Sequence, residues 1–191
     1  MSARLRWALF ALVCAAQIAA PASMVLEHQR TVAEGSIWKF QTAPVDPGDP
    51  FRGRYVRLRF AVEREAVPMA DNGVIYIAPD TRMYAELETG ADGFAHLKRL
   101  QQKRPERGDY LDVFTTRMRD TEPKKGEHLP PGAYVRLPFD RWYLPEERAP
   151  QVEADYARAS RGAQANTYAE ARVRTGHAAL TALVLDGAAV R

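Results

Sequence analysis

Cysteine is almost absent from this sequence. Cys14 stands alone, which excludes a disulfide within the chain and a cysteine-based zinc site. The four histidines, His28, His96, His128 and His177, are isolated, and no two stand at helical or zinc-ligand spacing. There is no glycine-rich phosphate loop and no recognisable catalytic constellation. Nothing asks for a metal or an organic cofactor, so none is expected. An excess of charge is also missing. The 27 Lys and Arg face 24 Asp and Glu, and setting aside Arg4 and Arg6 brings the 27 down to 25. A nucleic-acid partner demands a concentrated basic surface, and this balance supplies no reason to expect one.

What remains has the composition of a globular protein, 46% hydrophobic and 27% charged. Thirteen prolines and twelve glycines suit a β-rich, turn-rich body. The 191 residues allow one domain of ordinary size or two small lobes.

One long uncharged run stands out, from Trp7 to Leu26, with Arg4 and Arg6 before it and Glu27 after it. About 20 apolar residues cross a bilayer as a helix. The positive-inside rule then puts residues 1–6 in the cytoplasm and the body outside. Two readings compete. One is a cleaved signal peptide with Ala20-Pro21-Ala22 as its small-residue site. The other is an uncleaved signal-anchor, favoured because helical character continues through a juxtamembrane stretch, 27–35, until Gly35 can stop it.

The body reads as mainly β with minor α. Residues 36–42 alternate as a first strand, and 43–50, with three prolines, form a connector. Residues 54–62 alternate strictly, Val56, Leu58, Phe60 and Val62 against Tyr55, Arg57 and Arg59, which predicts a half-buried strand. A short apolar strand is expected at 74–78. Residues 83–88 and 94–100 read as a hairpin, with a helix over 94–103 as the alternative. A strand at 110–118 precedes a second connector at 122–131. The spacing of Val152, Tyr156, Ala159 and Ala163 predicts a helix over 152–165. Residues 168–174 and 177–185 close the chain as a hairpin about Thr175-Gly176.

Gly53-Arg54-Tyr55-Val56-Arg57-Leu58-Arg59-Phe60 and Gly132-Ala133-Tyr134-Val135-Arg136-Leu137-Pro138-Phe139 agree at six of eight positions. An internal duplication and a common way of writing an amphipathic strand both account for this. The expected architecture is one β-sandwich or two small antiparallel lobes, at 36–120 and 121–191, behind a transmembrane helix.

The first octet, with Pro44-Val45-Asp46-Pro47 ahead of it, resembles the GDYXXLXY family. Two positions depart: Arg54 stands for the family's Asp and Phe60 for its last Tyr. Asp140-Arg141-Trp142-Tyr143-Leu144-Pro145-Glu146, followed by Val152-Glu153, is similar to a second family segment. The resemblance implies a membrane-anchored exported bacterial protein, single-pass in the inner membrane with its body periplasmic, often encoded beside a polytopic membrane protein. It implies no known activity. A guanidinium at Arg54 cannot act as a catalytic acid. The residues at family-motif positions, Asp46, Arg52, Gly53, Tyr55, Arg141, Tyr143, Glu146 and Glu153, are the candidate binding residues.

Asp46 and Asp49 near Arg52 could bind a cation or a basic group, or could simply accept backbone N–H groups in an Asx turn. Asp140, Glu146, Glu147 and Glu153 surround Trp142 and Tyr143. That mixture suits glycan stacking or two-carboxylate glycoside chemistry, and equally a structural role in which Arg141 or Arg148 pairs with a glutamate. The leading expectation is a non-enzymatic accessory module of a polytopic membrane protein. The alternative is an envelope enzyme or glycan-binding protein.

Overall fold

A computed structural model describes residues 2–44, 55–71, 76–119, 131–159 and 167–190. Helix α1 (Ala3–Glu34) takes in the whole apolar run and continues past it. It is long and apolar enough to cross a membrane. Pro21 lies inside it, where it removes one backbone hydrogen bond, a loss that membrane-spanning helices tolerate. Gly35 ends it by donating its N–H to the Thr31 carbonyl at 3.0 Å.

The chain then enters β1 (Ser36–Gln41), β2 (Tyr55–Arg57), a 3-10 turn (Ala61–Arg64), β3 (Val67–Pro68), β4 (Arg82–Thr89), β5 (Ala95–Gln101), β6 (Tyr110–Met118), β7 (Gly132–Arg136), β8 (Arg141–Tyr143), helix α2 (Ala149–Ala159), β9 (Tyr168–Arg174), β10 (His177–Leu185) and β11 (Ala188–Val190). The strands form three antiparallel sheets: β1-β9-β10-β11, β3-β7-β6-β4-β5, and the two-stranded ribbon β2-β8. Each draws on both sides of residue 121, so ladder pairs cross the boundary between the two lobes expected from sequence.

The mainly β class stands, as do the first strand, the 83–100 hairpin in place of a helix, the strand at 110–118 and the closing hairpin. Three expectations need correcting. The strand at 54–62 is a strand only over Tyr55–Arg57. Its alternation persists, with Val56, Leu58, Phe60 and Val62 all buried, but the backbone changes partners. Leu58 donates to the Asp140 carbonyl, Arg59 accepts from the Ala43 N–H, and Phe60 bridges Thr42. The Glu63 carboxylate then draws the chain into a turn by accepting the Phe60 N–H at 3.3 Å. Residues 76–78 are not strand, and 72–75 lie outside the described residues. The Ala78 carbonyl is taken by the hydroxyls of Thr81 and Thr115, at 2.7 and 2.8 Å, in place of a ladder partner. Helix α2 begins three residues before the expected 152, with Pro150 in its first turn, where a missing N–H costs little; residues 160–165 are not described.

The core centres on three rings. Phe40 from β1, Phe60 after β2 and Phe139 after β7 pack edge to face, with centroids 5.3 to 6.0 Å apart. Parts of all three sheets are tied together there. The two similar octets therefore share an alternating burial pattern that ends in touching phenylalanines, yet one pairs with β8 and the other with β6 and β3.

Candidate binding face

The β2-β8 ribbon brings the two halves of the signature side by side. Its register sets Tyr55 opposite Tyr143, Val56 opposite Trp142 and Arg57 opposite Arg141. Strand alternation sends Val56 and Trp142 to the core and the other four to the outer face. Leu58 and Phe60, fully buried, hold the end of this segment to the body.

On the outer face the Tyr55 and Tyr143 rings lie 5.8 Å apart, and the Arg141 guanidinium sits 5.1 Å from the Tyr55 centroid. Asp140 stands between the two arginines, 3.6 Å from Arg57 and 3.5 Å from Arg141. Hydrogen bonding to Tyr143, helped by the charge of Asp140, holds the Arg141 guanidinium above its ordinary pKa. The face is open: Tyr143 is 67% exposed. Two aromatic rings, two guanidiniums and one carboxylate offer stacking, cation–π contact and forked hydrogen bonding to a partner.

Two residues outside the candidate set, one of them Tyr156, which the sequence marks only as a helix-face residue, support this face from behind. Glu63 accepts the Phe60 N–H and, at 3.0 Å, the Leu137 N–H, so one carboxylate joins the ends of both octets. Burial outweighs these donors and raises its pKa above the usual carboxyl value. The spacing Phe60-x-x-Glu63, that of a capping box, was its one signal. Tyr156 of α2 donates to the Ala43 carbonyl at 2.9 Å and accepts from the Arg59 N–H at 3.4 Å. Burial likewise raises its pKa, so the hydroxyl stays protonated.

Of the candidate residues, Tyr55, Arg141 and Tyr143 are brought together. Glu146 is exposed in the turn before α2, and Glu153 is exposed on the helix. Asp46, Arg52 and Gly53 lie outside the described residues, as does Asp49. Among the described residues no group of His, Cys, Asp or Glu could hold a metal ion.

The family model of the GDYXXLXY protein matches residues 17–183. The chain belongs to the GDYXXLXY family. The match begins inside α1 and ends near the close of β10, so this GDYXXLXY protein carries the family unit from its helix through its closing hairpin. The Tyr and Leu of the motif fall at Tyr55, on the open face, and at Leu58, in the core. No curated protein and no solved structure matches the chain.

Proposed function

We propose that this GDYXXLXY protein is a membrane-tethered periplasmic accessory module of a polytopic membrane protein, and that it engages its partner through the outer face of the β2-β8 ribbon. The observation that carries this reading is the cross-strand pairing of Tyr55 with Tyr143 under Arg141, made from two separate parts of the signature and left open to solvent. Tyrosine and arginine are the side chains that protein interfaces concentrate at their energetic centres.

Arg4 and Arg6 ahead of the apolar run support a cytoplasmic N-terminus with the body on the far side; the membrane of this proposal is a bacterial inner membrane. The uncleaved anchor is supported by the unbroken course of α1 through Ala20-Pro21-Ala22, the candidate cleavage site, to the end that is fastened on the body. Thr31 is buried against the body, Glu34 pairs with Arg174 at 3.0 Å, and Arg172 donates to the Gly35 carbonyl at 3.1 Å. Less supports an enzyme or glycan-binding protein built on 140–153, because Asp140 is engaged by two arginines and Glu146, Glu147 and Glu153 are exposed.

The test is purification in mild detergent from the native membrane. A polytopic protein is expected in stoichiometric amount with the parent chain and to be lost with Tyr143→Ala or Arg141→Ala. Its absence from the parent, or equal recovery with both variants, contradicts the reading.

A further inference from the structure

At the opposite end of β1 from the ribbon, α1 meets the body. We infer that this foot docks on anionic phospholipid headgroups. The apolar run ends at Leu26, while α1 runs on to Glu34, about 12 Å further along the axis. The turn between β9 and β10 reaches back along that extension. His177 lies 3.1 Å from Glu27, the first residue past the apolar run, and Arg174 lies 3.0 Å from Glu34. Gly176 sits tightly against Tyr110 and Asp112 of β6, and Asp112 donates its N–H to the Gly176 carbonyl at 2.9 Å, so the turn is braced. With α1 across a bilayer, Glu27 and His177 lie at the level of the headgroup layer, which is about 5–7 Å thick on each side, and Glu34 and Arg174 stand just outside it.

The loop between β5 and β6 completes the foot. A hollow of about 500 Å³ is lined by Glu34, Arg104, Arg107, Asp109 and Arg174, which places the loop beside both the helix end and the turn. Residues 27–34, 102–109 and 172–177 hold six basic and four acidic side chains. Three of the four acids have a partner within the foot: Glu34 pairs with Arg174, Glu27 lies beside His177, and Asp109 accepts the Trp38 indole N–H at 3.0 Å; Glu106 is exposed and makes no ion pair among the described residues. Arg30, Lys103 and Arg107 are exposed and make no ion pair among the described residues. Three unpaired basic side chains against one unpaired acid leave the foot cationic on balance, complementary to phosphate-bearing headgroups. Each such basic side chain shifts an equilibrium at an anionic surface about fivefold.

The full chain, reconstituted in vesicles, tests this. A fluorophore at Thr175→Cys, in a Cys14→Ala background, reports contact with a headgroup quencher; Ala154→Cys on α2, beyond the other end of β10, is the comparison. Phosphatidylcholine vesicles with and without phosphatidylglycerol supply the probe. The label at 175 is expected to be quenched severalfold more than that at 154. Its quenching should rise with phosphatidylglycerol and fall as salt reaches about 1 M, where the screening length is about 3 Å. Lys103→Gln with Arg107→Gln should remove most of the phosphatidylglycerol effect, with circular dichroism checking the fold. Equal quenching at the two positions, or quenching at 175 indifferent to both phosphatidylglycerol and salt in the parent chain, overturns the inference.

Discussion

Phe60 and Phe139 meet edge to face, their centroids 5.3 Å apart, at the ends of two octets that read almost alike. Each ends a segment that buries every second residue, and Phe40 closes the cluster against both. The contact holds the ribbon's supporting segment to the rest of the core. Phe60→Ala should therefore cost about 3–5 kcal/mol in denaturant unfolding, through lost transfer energy and an unfilled cavity. A loss below about 1 kcal/mol would mean that the three rings do not share one core.

Glu63 should leave a signature in pH. Its folded-state pKa lies above 4.5, because burial disfavours the charged form. The folded chain thus binds this proton more tightly than the unfolded chain does. The resulting stability is full below the unfolded pKa and is lost as pH rises through the folded value. Glu63→Gln should flatten that segment of the stability–pH curve. It should also cost about 1–3 kcal/mol near neutrality, since the amide replaces one of two acceptor oxygens with a donor facing a backbone N–H. Urea titrations from the acidic range up to neutrality, on parent and variant, give both numbers.

Tyr156→Phe keeps the ring of α2 in the core and removes only the hydroxyl. The buried Ala43 carbonyl then loses its 2.9 Å donor. A cost of about 1–3 kcal/mol is expected, with amide exchange accelerated around Ala43 and Arg59, where that hydroxyl contacts the backbone.

These residues also mark where sequence reading stopped. The apolar run, the hairpin at 83–100 and the closing hairpin are local patterns, and their periods and turns identify them without knowledge of the rest of the chain. Thr175 and Gly176, both at positive φ, set the closing turn. The strand at 54–62 had the right faces and the wrong extent, because its end depends on remote groups, Asp140, Ala43 and the Glu63 carboxylate. Tyr55, Arg141 and Tyr143 stood out singly by family resemblance, but their register on one ribbon is a contact across more than 80 residues that no local period encodes. Glu63 does not stand out in the sequence, and Tyr156 reads only as a helix-face residue, because a charged residue after a strand and an aromatic on a helix look ordinary until their partners are known.

Gly35 is needed for close approach, since its φ of −67° is open to any residue. A Cβ there would collide with the Thr31 carbonyl oxygen and crowd Arg172 and Val173. Gly35→Ala should destabilise the junction by about 1–3 kcal/mol. Cleavage by an added protease near Glu34 should speed up while the sheets keep their protection. Unchanged cleavage would mean that α1 is not held to the closing hairpin.

The central claim is that the paired tyrosines form the partner-binding face, and a photo-crosslinking amino acid placed at position 143 in the membrane-embedded full chain tests it most directly. Position 181, exposed on β10, serves as the comparison. The account predicts one dominant adduct with a polytopic membrane protein from position 143, weakened by Arg141→Ala and absent from position 181. No adduct from 143, or the same adducts from both positions, would contradict it.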